Sequence, residues 1–344
     1  MTTSLFLNTF SQPRPSQTPL WIMRQAGRYL PEYRAIRSKT TFLGLCKTPE
    51  LAAEVTLQPI RILKVDAAII FSDILIVPEA MGLKLSIEEG EGPRLLPVLR
   101  TESDLKLIHR PFPEQAYAFL GEALRLVRKN LPSEIPLLGF AGSPWTLLTY
   151  MVEGRTSRDF IHTKRLIYQA PTLALQILDR LSDAVADLLN YQIECGAQVV
   201  QLFDSWGGVL APQEFEEFSL QFIRKIIQRL PHSIPIILFS KGTGLHLSEL
   251  AQLPIQGLSL DWTVPLEWAS SIIQNQKVLQ GNLDPTVLLS NPAQIQKRVI
   301  ELLAQVPANQ RHIFNLGHGI LPETPVDNVL AMIEAVRNFK RENL

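Results

Sequence analysis

Two arginines bracket a glycine in Met23-Arg24-Gln25-Ala26-Gly27-Arg28-Tyr29, directly after the apolar run Pro19 to Met23. Each guanidinium carries a rigid planar fork of donors that matches a carboxylate or a phosphate. Gly27 permits a backbone turn that residues with a Cβ resist. The segment therefore reads as an anion site at the end of a strand, and Arg34 and Arg37 follow closely behind it. The same spacing also fits a solvated helix start in which Arg28 pairs with Glu32 at i, i+4. Spacing alone leaves both readings open.

Other groups able to do chemistry stand just beyond apolar runs further along the chain. They are Ser72 and Asp73, Tyr150 beyond the Gly142-Ser143-Pro144-Trp145 turn, Asp204 and Ser205, Lys241, Asp261 and Trp262, Asn282 and Asp284, and His318. Each has a plainer alternative. An aspartate after a strand often caps the next helix, which applies to Asp73 and more strongly to Asp204. Tyr150 fits core packing with a satisfied hydroxyl equally well. His318 stands between Gly317 and Gly319, which give it little packing and let a ligand approach the backbone, so function is favoured there. Lys241, in Ser240-Lys241-Gly242-Thr243-Gly244, lacks the spacing of a phosphate loop and is a weak candidate. The six histidines and two cysteines form no His-x-x-x-His or His-x-Cys pair, so a zinc site is not expected. No glycine-rich dinucleotide fingerprint follows the first run.

The elements that must position these groups alternate along the chain. Eight short β-type runs, Pro19 to Met23, Ala67 to Phe71, Ile135 to Phe140, Gln198 to Phe203, Ile234 to Phe239, Gly257 to Leu260, Lys277 to Gln280 and His312 to Asn315, are separated by segments of helical length and period. Near-continuous apolar strands suit a parallel sheet buried on both faces. Eight of them alternating with helices predict a single (β/α)8 TIM barrel with a deep cleft at the C-terminal ends of the strands, where such barrels carry their active sites. One domain is expected over residues 1–344, with residues 1–16 irregular, Gly82 to Thr101 inserted after the second strand as a hairpin, and a helix at Ser157 to Ile161.

Composition narrows the function classes. Of the 344 residues 46% are hydrophobic and 19% charged, which supports a large core and argues against disorder. Lysine plus arginine equals aspartate plus glutamate at 33 each, so no global field recruits nucleic acid and any anionic partner must be held by local arginines. Cys46 and Cys195 provide no disulfide framework and are expected to be inert buried thiols. The N-terminal residues lack the basic start of a secretory signal. No apolar stretch approaches the roughly 20 residues of a spanning helix, so a cytosolic setting without a membrane partner is the default.

Pro19-Leu20-Trp21-Ile22-Met23-Arg24-Gln25-Ala26-Gly27-Arg28-Tyr29-Leu30-Pro31-Glu32-Tyr33-Arg34 resembles the signature of the uroporphyrinogen decarboxylase family. Further segments resemble it in order: Phe71-Ser72-Asp73-Ile74-Leu75, Gly139 to Thr146, Gln201 to Trp206, Gln280 to Pro285 and Asn315 to Ile320. The resemblance implies a (β/α)8 homodimer that removes CO2 from the four acetate side chains of uroporphyrinogen III to give coproporphyrinogen III, with no cofactor or metal. It also implies the site. Arg24, Gln25, Ala26, Gly27 and Arg28, with Asp73, Tyr150, Ser205 and His318, would contact substrate; Arg37 is a further carboxylate-binding candidate and Phe203 would pack on the macrocycle. Arg24, Arg28, Asp73, Tyr150 and His318 would carry catalysis.

The chemistry suits that inventory. Without a cofactor as electron sink, a protonated pyrrole can accept the electrons of the breaking bond. A carboxylate facing that cation, the role given to Asp73, stabilises it. Eight substrate carboxylates explain why arginines gather in a chain of zero net charge. An arginine or a bound water would deliver the proton, although a guanidinium holds its proton tightly. Two other readings remain: a barrel methyltransferase acting on corrinoid-linked methyl groups, which would need the missing His-x-Cys zinc ligands, and a non-catalytic porphyrin carrier.

Overall fold

Apolar runs flanked by proline- and glycine-bearing turns pair in parallel because a helix returns the chain after nearly every one of them. The computed structural model describes residues 4–11, 15–88 and 92–340. Its strands are β1 (Ala68–Ile69), β2 (Lys84–Glu88), β3 (Gly92–Leu96), β4 (Leu137–Gly142), β5 (Val199–Asp204), β6 (Ile236–Ser240), β7 (Gly257–Ser259), β8 (Val278–Gln280) and β9 (His312–Ile313). Seven form one curled parallel sheet in the order β1-β4-β5-β6-β7-β8-β9. The β2–β3 pair is the expected antiparallel hairpin, running from Lys84 opposite Leu96 to Glu88 opposite Gly92; the tip of the expected turn, residues 89–91, lies outside the described residues.

The eighth run departs from expectation. Pro19 to Met23 forms no extended strand, only an isolated parallel bridge of Leu20 to Phe314. Phe314 N–H donates to the Pro19 carbonyl at 2.8 Å and Trp21 N–H to the Phe314 carbonyl at 3.3 Å. Side chains take the N–H groups that a continuing ladder would use. Leu20 donates to Asp66 Oδ2 at 2.7 Å, Ile22 to Gln25 Oε1 at 3.2 Å and Met23 to Asn315 Oδ1 at 2.8 Å. With those donors satisfied, the segment is anchored between β9 and the start of β1 without lengthening the sheet.

Strand alternation sorts side chains into two cores. Trp21, Ala67, Leu138, Val199, Ile237, Val278 and Ile313 meet inside the curl. Their neighbours Ala68, Leu137, Val200, Leu202, Ile236, Leu238, Leu279 and Phe314 face the helical layer. Above the inner apolar layer lies a polar one, in which Trp21 Nε1 donates to Gln280 Oε1 at 2.9 Å and Gln280 Nε2 to Gln201 Oε1 at 3.1 Å and Ser259 Oγ at 2.9 Å.

The N-terminal segment is not wholly irregular. Leu5–Asn8 is a helical turn capped by Ser4 Oγ, and its fully buried Phe6 joins the inner apolar cluster as a plug under the strands. Residues 1–3 and 12–14 lie outside the described part. The helix expected at Ser157 to Ile161 is instead Ile161–Gln169, because Ser157 Oγ accepts from Phe160 N–H at 3.0 Å and holds a turn before the helix. Helices Pro31–Arg37 and Pro144–Glu153, each with proline in its first turn, carry Arg37 and Tyr150.

Candidate active site

Continuing the inward phase of Ala67 and Ile69 past the end of β1 brings Asp73 to the C-terminal mouth of the sheet. Its Oδ1 accepts from Leu75 N–H at 2.8 Å. Burial pushes its carboxyl up from the ordinary range, while the Leu75 N–H and the charge of Arg24 pull the other way. Arg24 owes its placement to its own backbone: φ is 66°, a left-handed conformation that is costly for a residue with a long side chain. Met23 N–H is fixed by Asn315, and the Met23 carbonyl accepts from Ile320 N–H at 2.9 Å. The Arg24 stem crosses Gly319, where a Cβ would stand 2.3 Å from Arg24 Cδ.

Tyr150 projects from Pro144–Glu153, a helix capped by Ser143 Oγ on Thr146 N–H at 3.1 Å. Burial raises the phenol's pKa, a hydrogen bond with the Trp206 side chain lowers it, and Asp73 raises and Arg24 lowers it through charge. Asp73, Arg24 and Tyr150 thus feel one another. His318 is pushed down to about 4, first by burial and then by the charges of Arg24 and Lys241. Its imidazole is therefore neutral near pH 7. Below these groups Phe140 meets Phe203 edge-on at 5.7 Å, Phe203 meets Phe239 at 6.0 Å and Phe239 meets His318 at 5.9 Å. This aromatic floor, with half-buried Ser205 on the next inward position of β5, offers apolar faces under a polar rim.

Other expected site residues sit close by with different work. The Gln25 side chain is buried and serves the loop, donating to the Ala67 carbonyl at 3.0 Å while accepting from Ile22 N–H. Ala26 packs on the core. Gly27 does not supply the left-handed turn expected of it, since Arg24 does; glycine is required there for space, a Cβ falling 3.0 Å from the Arg24 carbonyl. Arg28 keeps an exposed side chain, and its carbonyl accepts from Arg34 Nη1 at 2.7 Å. The Arg37 guanidinium donates to the Thr40 carbonyl at 2.5 Å and acts through its charge on Tyr33 and Cys46. Asp73 also acts through its charge on the same Cys46 thiol, in the opposite sense.

Asp204 is fully buried away from the mouth, accepting from Ser143 Oγ at 2.6 Å, Ser240 Oγ at 3.0 Å, Ser219 Oγ at 3.1 Å and Thr146 Oγ1 at 3.3 Å. It ties the ends of β5 and β6 to two helices. Asp261 likewise serves loop geometry, accepting from Gly242 N–H at 2.6 Å and Thr263 N–H at 2.8 Å. Two participants carried little signal in the sequence. Lys241 reaches the mouth because its strand's inward positions are Ile237 and Phe239, and Gly319 matters only through the side chain laid across it.

Among the described residues no group of three or more His, Cys, Asp or Glu side chains is placed to hold a metal ion, and no helix is long and apolar enough to cross a membrane. A groove of about 530 Å³ lies outside the helical layer, between Arg110–Glu114 and Asp187–Glu194, where Arg110 is already clamped to Asp187 at 2.6 Å and 2.9 Å.

Residues 1–339 match the family described as uroporphyrinogen decarboxylase (URO-D). A uroporphyrinogen decarboxylase of Pseudomonas aeruginosa strain LESB58 is 46% identical over 344 residues, covering 98% of this chain and 97% of the relative. That of Hahella chejuensis is 46% identical over 340 residues, covering 97% and 96%, and that of Ruthia magnifica 44% over 342 residues, covering 98% and 99%. Among solved structures, a methyltransferase from Methanosarcina mazei aligns with a TM-score of 0.81 at 20% identity over 97% of this chain and 98% of the other. At that identity the likeness speaks for the fold alone.

Proposed function

We propose how this chain, which belongs to the uroporphyrinogen decarboxylase family and is a carboxy-lyase, uses the groups at its strand ends to convert uroporphyrinogen III to coproporphyrinogen III. Asp73 faces the converging pyrrole N–H groups. When a pyrrole is protonated at the ring carbon adjacent to the one bearing the acetate, positive charge reaches the acetate-bearing carbon and the carboxylate of Asp73 stabilises the cation. The carbon–carbon bond to the carboxyl then breaks, CO2 departs, and the bonding electrons form an exocyclic double bond between the side-chain carbon and the ring, which neutralises the cation. A proton then adds to the side-chain carbon and the extra ring proton leaves, which restores the pyrrole with hydrogen in place of the carboxyl.

What supports this reading is the environment of Asp73. Asp73 is half-buried, so water is thinned around a carboxyl that accepts from one backbone N–H and feels one arginine charge. An under-solvated carboxylate interacts more strongly with a developing cation than a hydrated one. At 4 Å and an effective dielectric of about 20 such a pair is worth roughly 4 kcal/mol. Half of that, realised only in the transition state, gives about thirtyfold in rate.

Arg24 and Arg28 would grip peripheral carboxylates, with Arg37 further out. Tyr150, Ser205 and neutral His318 would supply hydrogen bonds around the ring while Phe203 packs on its face. Closure of the seven-stranded sheet into a full (β/α)8 barrel by Pro19 to Met23 is part of the same proposal, supported by the Leu20–Phe314 bridge on one side and the Asp66 N–H to Leu20 carbonyl bond of 2.8 Å on the other. A homodimer and a cytosolic setting rest on the family resemblance.

The test is anaerobic incubation of EDTA-treated protein with uroporphyrinogen III, with chromatography of the carboxylate series. Stepwise appearance of seven-, six-, five- and four-carboxyl products is expected. Intact substrate beside folded protein would overturn the reading.

A further inference from the structure

We propose that Lys241 is a further substrate-binding residue, gripping a peripheral carboxylate of the tetrapyrrole from the side of the mouth formed by β6 and β7. The proposal rests on the decarboxylase reading above. Three observations carry it.

First, the backbone presents Lys241 rigidly. Its N–H donates to the Asp204 carbonyl at 3.1 Å and its own carbonyl accepts from Gly208 N–H at 3.0 Å. A Cβ at Gly208 would stand 2.6 Å from that carbonyl, so the β5 and β6 loops are locked together. The next residue is held as well, Gly242 N–H donating to buried Asp261.

Second, inward alternation runs Ile237, Phe239, Lys241 along β6. Ile237 is in the inner apolar layer and Phe239 lies 5.9 Å from the ring of His318. Lys241 is therefore one step above the aromatic floor, and its charge acts on His318.

Third, the ammonium is held between two indoles, 5.5 Å from the Trp262 ring and 6.0 Å from that of Trp206. Among the described residues no carboxylate pairs with it. Aromatic faces orient a cation without neutralising it, so its three donors stay free for an anion. A polycarboxylate entering this mouth meets Arg24 from one side and Lys241 from the other.

The experiment compares Lys241→Met, which keeps the stem over the rings and removes the charge, with Lys241→Arg, which keeps a cation. Lys241→Gln serves if the methionine variant does not fold. Initial rates with uroporphyrinogen III are measured anaerobically on proteins whose thermal midpoints match the parent. The expected result is a KM about tenfold higher with kcat within threefold, and recovery of KM in Lys241→Arg. An unchanged KM, a loss confined to kcat, or a KM that arginine does not recover would overturn the proposal and leave Lys241 as packing for the two tryptophans. Failure of the decarboxylase reading would appear elsewhere, as absence of CO2 release by the parent protein.

Discussion

Gly319→Ala tests the placement of Arg24 without touching it. The added carbon would stand 2.3 Å from Arg24 Cδ and 2.8 Å from both Cγ and Nε. Carbon atoms rest about 3.5–4.0 Å apart, so the Arg24 stem must withdraw by more than about 1 Å. Gly319 is outside the left-handed region, and the atoms it would meet belong to one exposed, flexible side chain. The fold should therefore tolerate alanine, with a thermal midpoint within about 4 °C of the parent. Activity should not be tolerant. A misplacement of about 1 Å in a positioning group costs on the order of 100-fold, equivalent to about 2.7 kcal/mol of transition-state stabilisation. Asp73 would also lose part of the charge that lowers its carboxyl pKa, moving the acid limb of kcat/KM to higher pH. The assay is initial rate against pH with uroporphyrinogen III. Activity within threefold of the parent would refute the claim that Arg24 is held productively across Gly319. Gly317→Ala is the matched contrast: its Cβ would strike main chain, 2.5 Å from Trp262 N and 3.2 Å from the Asn282 carbonyl, so the expected outcome is loss of folded protein.

Asp73→Asn should stay folded and lose at least about thirtyfold in kcat; near-parent turnover would sink the electrostatic role. Asp204→Ala leaves four buried hydroxyls without their acceptor and should cost about 3–5 kcal/mol in urea unfolding, whereas a loss under 1 kcal/mol would mean the hydroxyls re-pair. His318 should titrate near 4 by imidazole NMR rather than near 6.5. Because its folded pKa is depressed, unfolded chain takes up the proton first as pH falls below about 6.5, so stability is lost between about 6.5 and 4, at most about 3 kcal/mol; His318→Phe should flatten that part of the pH–stability curve. Phe6→Ala opens a hole beneath the strands and should cost about 3–5 kcal/mol, measured by denaturant unfolding; an unchanged midpoint would show that the plug is dispensable.

Seven of the eight runs were legible because apolar content alone marks a strand buried on both faces. The eighth looked the same from its composition. What ends its ladder is the pairing of its N–H groups with Asp66, Gln25 and Asn315, contacts 46 and 292 residues distant for the first and last. Gln25 shows the same long reach: it stands inside the arginine motif, and its amide ties Ile22 to Ala67. Lys241 carries little signal in one dimension because no local motif surrounds it; two tryptophans from other loops give it its setting.

Asp73 and Asp204 look equivalent in one dimension, each near a phenylalanine and a serine at a strand end, and the fold sends them to opposite fates. In Phe71-Ser72-Asp73 the phase of Ala67 and Ile69 falls on the aspartate; in Phe203-Asp204-Ser205 the phase of Val199 falls on the serine. The phase is set by residues far below, Ala67 on one strand and Val199 on the other, both in the inner apolar layer. Counting in twos from Ala67 reaches Asp73, and from Val199 reaches Ser205. Asp204 is then turned into the helical layer, where only a cage of hydroxyls makes a buried carboxylate tolerable. The transposed pair behaves accordingly: Ser72, on the outward phase, keeps a buried hydroxyl without a hydrogen-bond partner. A single-residue shift of phase at the first strand would exchange the carboxylate at the mouth for a hydroxyl, and one at β5 would do the reverse. Inserting one residue between Ala67 and Asp73 should therefore abolish turnover as fully as Asp73→Asn, even where the inserted chain still folds.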